Sequence, residues 1–210
     1  MFSSEKNLMM KPKMISHFVI VISFALLFGC ATLNVTKTSP DDETSGKDTF
    51  LISHSFDADI KTMFEMWIKP DRFAKWLGPA GASMTFINVG LKEGGTSQWA
   101  MTTSDGVTKY GKLNYKKIGP PSLLIYTQNF CDKEGNLSKP PFSSTYPDML
   151  LTTVTFEEDG KKKTKVTVKW EVFGEATETE RQTFLGMRQI MTVGWNSSFD
   201  KLETLLKSKK

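Results

Sequence analysis

The chain has 210 residues, 39% hydrophobic and 24% charged, proportions ordinary for a soluble domain and far from those of a disordered or low-complexity chain. The formal charge is only +4, and it drops to +2 once the first 29 residues, with three lysines and one glutamate, are set aside. No basic stripe stands out, which argues against nucleic acid as a partner.

In chain order, Met1 to Ser16 is polar with a positive balance, and His17 to Phe28 is almost entirely apolar. A positive segment, an apolar run of roughly 7–15 residues and a small residue (Gly29) make a secretory signal. The run is too short to span a membrane, which takes about 20 apolar residues. The string Leu27-Phe28-Gly29-Cys30 resembles the lipobox of bacterial lipoproteins. That resemblance implies cleavage of residues 1–29 and lipidation of Cys30, so that the membrane itself is a partner through the lipid. More than one acyl chain is needed for stable anchoring. Ala31 differs from the aspartate that retains some lipoproteins in the inner membrane, so the implied location is the periplasmic side of the outer membrane. Residues 30–48 are rich in Thr, Ser, Lys, Asp and Gly and read as a flexible tether, reaching about 20–25 Å on average.

The domain proper is expected over 49–210. Thr49–Phe56 alternates as a strand. Asp57 is the expected cap of a helix over Ile60–Ile68, and Pro70 opens a second, Asp71–Leu77, which Gly78-Pro79-Ala80-Gly81 ends. Six strand-like runs follow: Ser83–Val89, Thr96–Thr103, Thr108–Ile118, Leu123–Phe130, Met149–Glu157 and Lys163–Phe173. Gly94-Gly95, Asp105-Gly106, Gly119-Pro120-Pro121 and Asp159-Gly160 separate them as turn signals. In the last strand Val166, Val168, Trp170 and Val172 alternate with Lys165, Thr167, Lys169 and Glu171, so one sheet face is wet.

A single long helix closes the chain, predicted over Glu180–Leu206. Phe184, Met187, Met191, Trp195, Phe199, Leu202 and Leu206 recur every three or four residues. Glu175, Glu178 and Glu180 sit at its start and lysines at its end, as the helix dipole favours. Gly186 and Gly194 interrupt it, each at about 1 kcal/mol against alanine, and mark places of close approach or of room for a ligand. The order β-α-α-β6-α gives an α+β fold: a curved antiparallel sheet wrapped around the C-terminal helix, whose apolar stripe is long enough to cover it.

This order and a set of words within it resemble the SRPBCC (START-like, helix-grip) superfamily, in the branch named for the activator of heat-shock protein 90 ATPase. The words include Trp67 with Pro70, Trp76-Leu77-Gly78-Pro79, Gly94-Gly95, Met101 with Asp105-Gly106, Gly111, Pro120-Pro121 and Tyr126-Thr127. Phe130-Cys131-Asp132 with Gly135, Leu151–Phe156, Ala176–Glu180 with Phe184, Gly194-Trp195 and Leu202 complete them. The resemblance covers Phe50–Leu206 and implies a helix-grip fold that often leaves a cavity. It supplies a fold and a pocket rather than a reaction.

Catalytic chemistry finds little footing. His54 is the one histidine after the signal and reads as a strand histidine satisfied by a backbone or hydroxyl group. With Cys30 acylated, Cys131 has no disulfide partner, and it lacks an evident base. One histidine and one thiol do not make a zinc site, and neither a phosphate loop nor a dinucleotide fingerprint occurs, so no cofactor and no metal are expected. Glu65 and Glu171 read as exposed, although a buried one could act as a base. The aromatics remain. Trp76, Trp99, Met101, Tyr110, Tyr126, Phe130, Met191 and Trp195 are the candidate lining of a cavity, with Tyr110, Tyr126, Gln128 and Arg188 as its polar tips. The reading is a membrane-anchored domain binding a small hydrophobic molecule or lipid beneath the last helix. A cyclase/aromatase-like enzyme and a co-chaperone-like protein-interaction module are the alternatives.

Overall fold

The computed structural model describes residues 48–208. The signal segment, Cys30 and nearly all of the tether lie outside the described residues.

Strand β1 (Thr49–Phe56) leads into helix α1 (Ile60–Ile68). The cap of α1 is Asp59 rather than the expected Asp57: its carboxylate, directly before the first helical residue, accepts the Thr62 amide at 2.9 Å. Helix α2 (Pro70–Trp76) starts on a proline, whose missing N–H costs nothing at that position. Six strands follow: β2 (Ser83–Asn88), β3 (Thr96–Thr102), β4 (Thr108–Gly119), β5 (Leu123–Cys131), β6 (Leu150–Glu158) and β7 (Thr164–Val172). They form one antiparallel sheet in the order β1-β7-β6-β5-β4-β3-β2. Each hairpin from β2 to β7 joins neighbours, while β1 reaches the far edge and pairs with β7, Phe50 facing Trp170. Bulges between Phe86 and Asn88 and between Tyr115 and Lys117 break the register of β2–β3 and β4–β5. Such insertions bend a strand.

The chain closes with two helices where the periodicity predicts one. Helix α3 (Glu178–Gly186) and helix α4 (Arg188–Lys207) meet at Met187, whose amide bonds to both Thr183 and Phe184 carbonyls at 3.2 Å. The tightened turn follows Gly186, the poorest helix former in the stretch. Helix α3 begins with a capping box between Thr177 and Glu180.

The alternation read in β7 is present. Val166 and Val168 are fully buried against Val154 and Phe156 of β6. Helix α1 covers this part of the sheet, with Phe64 edge-on to Phe156 at 5.3 Å between ring centres. Trp67 stacks on Trp195 of α4 at 5.8 Å, tying α1 to the gripped helix. The second half of α4 buries Phe199, Leu202 and Leu206. Each such side chain contributes about 1.5–3 kcal/mol by leaving water, as an upper bound.

Candidate functional site

The other half of the sheet is not filled. Between β3, β4, β5 and the first turns of α4 lies a cavity of about 700 Å³, within the range of small-molecule sites. Its sheet wall carries Trp99 and Met101 from β3, Leu113 from β4 and Tyr126, Gln128 and Phe130 from β5. Trp170 of β7 closes one side. The helix wall is Met187, Met191, Gly194, Trp195 and Ser198. Phe142, Ser143 and Tyr146, from the connection between β5 and β6, complete the enclosure.

Local sequence explains how these groups reach their places. Trp99 pairs with Gly111 across β3 and β4, and a Cβ on Gly111 would lie 2.3 Å from the indole. The glycine lets the ring lie flat on the sheet, with Phe130 edge-on to it at 6.0 Å. Gly78, at φ 111°, turns the chain after α2 under α4. Its amide donates to the Ser198 hydroxyl at 3.0 Å, a buried link between the α2–β2 connection and the gripped helix. The β5–β6 connection is held by Lys139, whose ammonium bonds the Tyr146 carbonyl at 2.7 Å and pairs with Asp148 and Glu180. Hydrogen bonds from Lys139, then from the Thr177 amide and hydroxyl, hold the Glu180 carboxyl at a pKa of about 2. Burial alone would lower the Lys139 pKa, but its two carboxylates outweigh this and raise it.

Gly194 settles a question the sequence leaves open. It shares the inner face of α4 with Met191 and Ser198, and a Cβ placed there meets nothing within 4 Å. The missing side chain makes room for the cavity rather than for the sheet. Gly186 likewise has nothing close, so neither glycine marks a tight approach.

Six predicted lining residues meet at the cavity: Trp99, Met101, Tyr126, Phe130, Met191 and Trp195. Trp76 does not. It is fully buried between α1 and α2, its indole donating to the Met66 carbonyl at 2.9 Å, because Pro70 turns α2 inward against Trp67. Tyr110 is also elsewhere: it lies one residue from Gly111 and so points to the opposite face of β4. Of the other predicted polar tips, Gln128 lines the wall and Arg188 does not. Sequence reasoning missed Leu77, Gly78 and Pro79, the Phe142–Tyr146 stretch, Lys109 and Ile190. The signal that could have found the loop residues was the density of aromatic and proline side chains in 139–147.

The wall holds hydroxyls, one amide and one ammonium but no carboxylate or histidine. Burial, and then the neighbouring Tyr115, push the Tyr126 hydroxyl above the usual phenol range, and burial does the same to Tyr146. Both stay protonated donors at neutral pH. The Trp170 indole N–H is buried without a hydrogen-bond partner among the described residues, which costs about 1–3 kcal/mol until an acceptor arrives. Glu65 and Glu171 stand away from the cavity, Glu65 ion-paired with Lys69 and Arg72 and Glu171 with Lys169. His54 bonds Glu203 of α4 at 2.7 Å, a carboxylate where a hydroxyl or carbonyl is expected. Cys131 is a free, buried thiol whose pKa burial raises, the reverse of an activated nucleophile. Among the described residues no group of three or more His, Cys, Asp or Glu could hold a metal, and no helix is long and apolar enough to cross a membrane.

An antiparallel sheet curved over a C-terminal helix, with an open interior between them, defines the helix-grip class. Residues 57–207 match the family model of the activator of Hsp90 ATPase homolog 1-like proteins, and the chain belongs to that family. Protein Ms6760 from Mycobacterium smegmatis is similar in structure, with 22% identity and a TM-score of 0.63 over 76% of this chain and 91% of that one. A protein from Arthrobacter aurescens, 24% identical, also gives 0.63, over 77% of this chain and 87% of its own. The AHSA1 protein from Silicibacter pomeroyi gives 0.59 at 15% identity, over 77% and 99%. At these identities the structures share the fold. No curated protein matches the chain.

Proposed function

We propose that this protein is a binding module that takes up a small hydrophobic molecule or lipid beneath α4, held at a bacterial membrane by a lipid on Cys30. The observation that carries the binding reading is the 700 Å³ space itself, walled by aromatic and methionine side chains and kept open by Gly194. A core with no occupant would gain stability by filling it. The Leu27-Phe28-Gly29-Cys30 string supports the anchor.

Two measurements test this. The full chain, taken from cells in its native lipid with a membrane-solubilising polymer and extracted with organic solvent, should release an apolar species that a folded Gly194→Phe variant lacks. Equal extracts from both proteins would overturn the binding reading. Labelled fatty acid should enter the wild type and not a Cys30→Ser variant; equal labelling would overturn the anchor.

The enzyme alternative would have to run on tyrosine. Tyr126 and Tyr146 face the cavity, but with raised pKa values they donate hydrogen bonds rather than abstract protons. The wall offers no carboxylate to share the work.

A further inference from the structure

The cavity is apolar along most of its wall, and one of its lining residues is charged. Lys109, on β4, contributes to the lining. Its ammonium sits over the Phe142 ring, 5.2 Å from the centroid. A ring face attracts a cation weakly and leaves the rest of its hydrogen-bonding capacity unused. Other half-buried cations are differently placed: Lys139, Arg72 and Arg181 each have a carboxylate within hydrogen-bond distance. Lys109 has no ion pair within 4 Å among the described residues. The nearby carboxylate is Asp105, in the β3–β4 turn, and it is engaged by the Thr103 hydroxyl at 2.5 Å and the Val107 amide at 3.2 Å.

Position matters as much as charge. On the inner face of β4, Lys109, Gly111, Leu113 and Tyr115 succeed one another, with Met101, Trp99 and Phe130 as their cross-strand neighbours. Lys109 therefore stands at the end of the cavity bordered by the partly exposed Phe142 and by Tyr146, and Leu113 and Tyr126 lie further along the wall. From Lys109 to Leu113 is about 13 Å along β4, at ~3.3 Å per strand residue. Between them the wall is aromatic and aliphatic. One end presents an ammonium with no carboxylate in contact, Asp105 acting on it only through space; the length behind it suits an alkyl or ring system.

Resting on the binding reading above, we infer that the ligand is an amphipathic anion, its acidic head group on the Lys109 ammonium and its apolar body along Trp99, Phe130, Met191 and Trp195. A lysine provides one compact charge without the fork that recognises a planar oxyanion, so a single carboxylate or similar monoanion meets it adequately.

The test uses the full chain in zwitterionic lipid nanodiscs, with Trp99, Trp170 and Trp195 as fluorescent reporters. The probes are bromo-substituted dodecanoate and the matching neutral dodecanol, at mildly alkaline pH where the acid is ionised. Partition into the disc is common to every protein variant and cancels between them. Dodecanoate should bind about tenfold more tightly than dodecanol, as a charge-assisted contact allows. Lys109→Met should bring dodecanoate to the dodecanol value and leave dodecanol unchanged; Lys109→Arg should keep the preference. Equal binding of both probes, or a preference for the acid that Lys109→Met leaves intact, overturns the inference while the cavity reading stands. Quenching by neither probe overturns both.

Discussion

The two halves of α4 face the same sheet with opposite results. In the second half Phe199, Leu202 and Leu206 are buried, Phe199 packing on the rings of His54 and Phe56 of β1. In the first half Met191 and Gly194 border empty space, while Ile190 and Val193 are two-thirds exposed. Residue polarity does not separate the halves, since both are rich in apolar groups. What separates them is size and curvature: a glycine on the helix, a glycine under Trp99, and bulged strands that bend away. A core and a pocket can thus be built on one helix, one serving stability and the other left for an occupant.

The largest effect that should divide the halves is truncation. Leu202→Ala should cost about 2–5 kcal/mol in urea unfolding, as for other fully packed leucines. Met191→Ala should cost under ~2 kcal/mol, because its neighbours already lack partners on the cavity side. Similar costs at the two sites would mean that the first half is packed after all. At the boundary, Ser198→Ala should lose about 1–3 kcal/mol by leaving the Gly78 amide buried and unpaired. A thermal midpoint unchanged by that substitution would show that water replaces the hydroxyl.

Gly194→Ala should do the reverse and stabilise the apo protein by about 1 kcal/mol, since the methyl meets nothing and the helix propensity improves. A loss of stability would place that Cβ against packed atoms. The smallest effect concerns acid. Folding lowers the Glu180 pKa from 4.5 to about 2, so the unfolded chain binds the proton more readily between these values. The stabilisation is complete above about pH 4.5 and is lost as the pH falls towards 2. Glu180→Gln, which can still close the capping box, should flatten the acid limb of stability over that window. An unaltered limb would mean that the Lys139 cluster does not contribute.

Most of the architecture was written in local pattern. The period-two run of β7, the turn glycines and the Pro70 helix start each act through their own neighbourhood, so the strand and helix order is legible, although the expected cap of α1, Asp57, falls two residues early. The two-piece closing helix was less so, because the apolar stripe runs through Met187 without a break and the discontinuity is in hydrogen bonding. At the site, a period-two reading places Trp99 and Met101 on one strand face, but on β4 it must also decide which face Gly111 defines. Tyr110 stands beside that glycine and points the other way. Trp76 could not be told from a lining residue, since both are large and apolar, and only the angle between α1 and α2 separates them. Lys109 escaped because a lysine in a strand reads as solvent-facing; its inward position is a matter of register.

The entry point of the domain has a mechanical side. Asp48 is pinned to Arg181 of α3 at 2.6 Å, and the next eight residues form an edge ladder with β7. Within that ladder Phe50 packs on Trp170, 5.7 Å between ring centres, and His54 reaches across to Glu203. A pull arriving from the N-terminal side would therefore load first this half-buried ion pair. Next it would load the strand that backs a wall of the cavity. Load on β1 would thus reach the cavity wall through the contact of Phe50 with Trp170.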